Sequence, residues 1–122
     1  MLEMLDIGLD HVVAYRLGGK LTDREMASVF SVFREKIERG EGLFVYQEVE
    51  SFGGVEWEGM LEKMKFFRDF GLSHFRRIAV VTHGKWLHKL VDLEGKLFRD
   101  IEMKGFSMEE RLEAVRFLER DE

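Results

Sequence analysis

Cysteine is absent from this chain, and so is proline. Without thiols there can be no disulfide, iron–sulfur cluster, thiolate zinc site or cysteine nucleophile, and a reducing compartment is the expected home. No apolar run approaches the ~20 residues of a membrane span. Residues 1–10 carry acids where a secretory signal carries positive charge, so the expected location is cytoplasmic. A basic surface is missing as well: the net charge is −5. Residues 1–56 hold 11 acids against 6 bases, and only residues 57–92 reverse the balance, with 4 acids against 7 bases. Nucleic-acid binders are basic with Lys and Arg clustered on one face, so no nucleic-acid partner is expected.

What remains is a chain of 122 residues, 45% hydrophobic and 35% charged, a size and composition that suit one packed domain over residues 1–122. Glycine supplies the punctuation that proline does not. His11–Leu17 (HVVAYRL) is rich in β-formers and reads as a strand, with Leu2–Ile7 as its hairpin partner. Thr22-Asp23-Arg24-Glu25 is a capping box, and Met26, Val29, Phe30, Phe33 and Ile37 follow at helical spacing until Gly40. Phe30 and Phe33 are expected in the core. Leu43–Val49 (LFVYQEV) alternates as a strand. Trp57, Met60, Leu61, Met64, Phe67 and Phe70 mark a second helix. Ile78–Thr82 (IAVVT) is continuously apolar and belongs in the middle of a sheet. A third helix carries Trp86, Leu87, Leu90 and Val91, and Phe98–Met103 is a weaker strand candidate. Ser107–Glu110 (SMEE) is a second capping box, opening a last helix with Leu112, Val115 and Leu118 inward. The order β-β-α-β-α-β-α-β-α predicts an α/β domain: a mixed five-stranded sheet, antiparallel at the opening hairpin and otherwise mainly parallel, with four helices.

Motifs for chemistry are scarce. The glycine pairs Gly18–Gly19 and Gly53–Gly54 fit neither G-x-x-x-x-G-K-[ST] nor G-x-G-x-x-G, so no nucleotide cofactor is expected. His83 and His88 are five apart, which does not place them on one helix face, and no H-E-x-x-H occurs, so no metal is expected. None of Ser28, Ser31, Ser51, Ser73 and Ser107 lies in G-x-S-x-G. Glu48 and Glu50 share a strand face, but among 24 acids such a pair arises by chance. The reading leans away from an enzyme. The apolar arc of the second helix is wider than one sheet-facing stripe requires. Packing on a neighbouring helix would account for it. So would a lipophilic groove between the second and third helices, lined by Trp57, Met60, Met64 and Trp86, with Lys65 or Lys85 at its mouth.

Gly19-Lys20-Leu21-Thr22 ahead of the first helix, Lys65-Phe66 in the second, Phe75-Arg76-Arg77-Ile78-Ala79-Val80-Val81 followed by Trp86, and Glu113-Ala114 near the end resemble the SpoIIAA-like family. This is a STAS-type α/β fold, related in architecture to anti-sigma-factor antagonists and to lipid-binding CRAL-TRIO (Sec14-like) domains. The proline usual before the last strand is missing here. The resemblance implies a fold more than an activity. Its best-known members are phosphorylated on a serine in a D-S-[ST]-G-like loop opening the second helix, and so switch a partner kinase. The corresponding stretch, Glu50 to Trp57, lacks that aspartate, and Ser51 is its only hydroxyl. The leading expectation is a non-catalytic module that binds an amphipathic small molecule, a lipid or a protein partner through the second and third helices. The alternative is a regulator phosphorylated on Ser51, and a homodimer stays open in either case.

Overall fold

The structure is a computed structural model and describes residues 1–18, 22–50, 74–83 and 102–119. Five strands form one sheet: β1 (Leu2–Leu5), β2 (Val12–Leu17), β3 (Leu43–Val49), β4 (Phe75–Thr82) and β5 (Glu102–Ser107), ordered β1-β2-β3-β4-β5. β1 runs antiparallel to β2, and every other neighbouring pair is parallel. The expected mixed sheet is therefore present. Of the four expected helices, the described residues carry two, α1 (Asp23–Glu38) and α2 (Arg111–Phe117), the latter entered through a 3-10 turn at Met108–Glu110. The segments expected to form the second and third helices lie outside the described residues.

Local chemistry explains most boundaries. The Gly8 amide donates to Asp6 Oδ1 at 2.8 Å, and Gly8 takes φ +82°, so the chain turns there and β1 stops short of Ile7. At α1 the Glu25 amide donates to Thr22 Oγ1 at 3.1 Å while the Thr22 amide donates to Glu25 Oε1 at 3.0 Å, closing the capping box. Gly40, with φ +76°, ends the helix in the left-handed conformation that glycine adopts without a Cβ penalty.

Each sheet face carries its own core. On one, Val29, Phe30 and Phe33 of α1 pack onto Val13, Tyr15, Leu43, Val45, Phe75 and Met103, with the Phe33 and Phe75 rings edge-on at 5.6 Å. On the other, Ala114 and Leu118 cover Ala14, Tyr46, Ala79, Val81 and Phe106. Phe30 and Phe33 are buried, as their spacing predicts.

Four expectations are corrected. Ile78–Thr82 is interior, paired on both sides, but the middle strand of the sheet is β3. Gln47 and Glu48 make β3 look like a half-solvated strand; Glu48 is in fact buried. β4 begins at Phe75, ahead of the apolar run, because Arg77 keeps its charge paired with Glu102 on the neighbouring strand at 2.8 Å. The last strand is Glu102–Ser107, not Phe98–Met103, and runs through Gly105 to the buried Phe106. Leu112 is 59% exposed. The 3-10 turn, with 3.0 residues per turn, offsets the helix phase, so the inward face falls on Ala114 and Leu118.

Candidate functional site

In open α/β sheets, ligands are bound beyond the carboxyl ends of the parallel strands. Here that edge gathers Arg16 on β2, Glu48 and Glu50 at the end of β3, Thr82 on β4 and Arg111 at the start of α2. Parallel register sets Arg16 directly opposite Glu48, and β-strand alternation points both toward the face that α2 covers.

Glu48 is the centre of this edge. Its side chain is 1% exposed, and both carboxylate oxygens are engaged: Arg16 Nε donates to Oε2 at 2.6 Å and Arg111 Nε to Oε1 at 2.5 Å. Burial alone pushes the Glu48 carboxyl up, but the hydrogen bonds and charges of Arg111 and Arg16 outweigh it and hold the group below its ordinary value. Arg16 also reaches Glu3 Oε2 at 3.2 Å and Glu50 Oε1 at 3.4 Å, and Arg111 Nη2 donates to Met108 Sδ at 3.4 Å. Tyr46, beside this cluster, is pushed above its ordinary value first by burial and then by the Glu48 charge. The buried Thr82 hydroxyl donates to the Val49 carbonyl at 3.1 Å, binding the ends of β3 and β4 together.

Chemically this is a closed network. A carboxylate that is buried, ionised and saturated by two guanidinium groups neither accepts nor gives a proton near neutrality. Among the described residues no group of three His, Cys, Asp or Glu side chains could hold a metal ion. The described histidines are strand-end groups: His11 sits ahead of β2, His74 ahead of β4 and His83 just beyond it. No helix among the described residues is long and apolar enough to cross a membrane.

The residues expected to bind a ligand, Trp57, Met60, Met64, Lys65, Lys85 and Trp86, lie outside the described residues, as does Ser51. Reasoning from sequence misses the residues that the structure does bring together. Glu48 reads as half of a chance acidic pair, and nothing local marks Arg16 or Arg111. One signal is present: Glu48 stands between the β-formers Tyr46 and Val49 at a position where alternation demands burial.

The sequence model of the SpoIIAA-like family matches residues 12–119, from the first residue of β2 to just past α2. No curated protein and no solved structure matches the chain. The match covers most of the 122 residues and takes in four of the five strands and both described helices: the chain belongs to the SpoIIAA-like family.

Proposed function

We propose that this SpoIIAA-like chain is a cytoplasmic, non-catalytic module that binds an amphipathic small molecule or a protein partner through its segment 57–92. The observation that carries the reading is the saturation of Glu48: the one buried carboxylate at the carboxyl edge of the described sheet is committed to two arginines and is no acid–base group. The sheet edge then serves as a scaffold for the segments that leave β3 and β4. In that stretch Trp57, Met60, Met64 and Trp86 supply apolar and adaptable surface, and the local excess of bases includes Lys65 and Lys85. An amphipathic ligand would bury its chain on the former and set an acidic head beside the latter.

Trp57 and Trp86 are the only tryptophans, so their fluorescence reports on this segment alone. Titration with fatty acids of increasing length is expected to show affinity rising by about 0.8 kcal/mol per buried methylene before levelling off. Lys85→Glu is expected to weaken acidic ligands more than neutral ones of equal length. A flat response across the series excludes the small-molecule ligand and leaves the protein partner.

A second reading, a regulator phosphorylated on Ser51, is favoured by one observation: β3 ends at Val49, so Ser51 follows the third strand in the order that places the modified serine of its relatives. Stoichiometric phosphate on Ser51 in protein taken from its native cells supports this reading, and unmodified Ser51 throughout growth removes it.

A further inference from the structure

The two helices are attached to the sheet by different means. α1 buries Val29, Phe30 and Phe33, two of them aromatic. α2 is seven residues long, buries Ala114 and, at its cap, Leu118, and meets two alanines, Ala14 and Ala79, on the sheet beneath. Met108, Val115 and Phe117 pack against the same core only partly buried, and polar contacts at the two ends add to the attachment. At the start, Arg111 holds Glu48. At the finish, His11 Nε2 donates to the Leu118 carbonyl at 2.7 Å, and Arg77 Nη1 donates to the carbonyls of Phe117 and Glu119 at 3.0 and 3.1 Å. The Phe117 and Leu118 carbonyls close the last turn and its cap, where a helix cannot satisfy its own acceptors, and Glu119 lies just beyond. The Arg77 guanidinium also lies 5.7 Å from the centroid of the Phe117 ring.

A helix of this length is not stable in water alone, so it is either docked and helical or undocked and unfolded. A buried carboxylate normally forbids such a release, because losing its partner strands a charge. Here it does not. Glu48 keeps Arg16 at 2.6 Å when Arg111 leaves, and Arg111, with a side chain already 54% exposed, returns to water at little cost. We propose that residues 108–119 form a strap that opens from the sheet as one unit while the sheet and α1 stay folded, with the Glu48–Arg111 contact as its latch and Arg16 as the group that keeps Glu48 compensated. Opening bares Tyr46, Val81 and Phe106, an apolar face that the closed molecule conceals.

Native-state amide hydrogen exchange on the full chain, repeated over a series of low denaturant concentrations, tests this without any variant. The amides of Val115, Arg116, Phe117 and Leu118 are expected to share one protection factor and one denaturant slope, at least about ten-fold less protected than the amides of β3 and β4. Equal protection of α2, β3 and β4 overturns the proposal, because the helix then opens only with the whole domain. Graded protection along α2 with no denaturant slope overturns it too, since that is residue-by-residue fraying. Arg111→Met is expected to lower the protection of 108–119 by about a further ten-fold, with α2 still the less protected element because every opening that includes the strap loses the same contact. Unchanged protection of 108–119 in Arg111→Met means that the Glu48 contact is no latch.

Discussion

Glu48 obtains its ionised state from two partners, and its pH response has a definite sign. Its folded value lies below the ordinary glutamate value of about 4.3, so the stabilisation is complete above that pH and is lost as the pH falls through the depressed value. Urea unfolding of the wild type and Glu48→Gln is therefore expected to show a stability gap at pH 7 that narrows on going to pH 4 and below. A gap independent of pH would mean that the carboxylate charge contributes nothing. Arg16→Met, which removes a hydrogen bond to a buried charge, is expected to lower the urea midpoint at pH 7. Arg111→Met should lower it less, because the Arg111 side chain is 54% exposed against 29% for Arg16. None of this is readable residue by residue. Arg16 and Glu48 are 32 positions apart and Glu48 and Arg111 are 63 apart, so the cluster exists only once strand register and helix docking are known.

At the scale of the element, α1 is where sequence and structure agree in detail, and it is the natural place to measure. Phe33 is fully buried against Tyr15 and Phe75, and Phe33→Ala is expected to cost about 3–5 kcal/mol in chemical denaturation, through lost transfer energy and the cavity left behind. Thr22→Ala should cost about 1 kcal/mol by opening the capping box. This helix is legible because its signals are local: a cap, a 3.6-residue period and a glycine stop. β3 is harder to place because a charged residue in a central strand is intelligible only through its cross-strand partner. The phase of α2 is lost because a capping box marks where a helix begins without saying that its first turn is 3-10. β5 is displaced because a glycine inside a strand and a glycine ending one look alike in sequence.

For the whole molecule, topology governs kinetics. Three of the four strand pairings are parallel and require crossover connections, so loop closure precedes the contacts that reward it. Refolding is expected on a timescale of roughly milliseconds to seconds by stopped-flow fluorescence. With no proline in the chain, double-jump experiments are expected to show no phase of ~10–100 s, the signature of prolyl isomerisation. A slow phase that appears and scales with protein concentration would instead report assembly. The order of segments is enough to predict the mixed sheet. The polar network at its carboxyl edge is not predictable in the same way, since it is assembled from β2, β3 and α2 by packing.

The spacing of that network along the chain also has a consequence on the ribosome. Arg16 and Glu48 are both polymerised well before Arg111, which comes 63 residues after Glu48. At elongation rates of ~5–20 residues per second that interval lasts about 3–13 s. Throughout it, Arg16 is the one of the two arginine partners of Glu48 that the chain already contains. A newborn chain thus carries the carboxylate and its first arginine for seconds before the segment that closes over them exists.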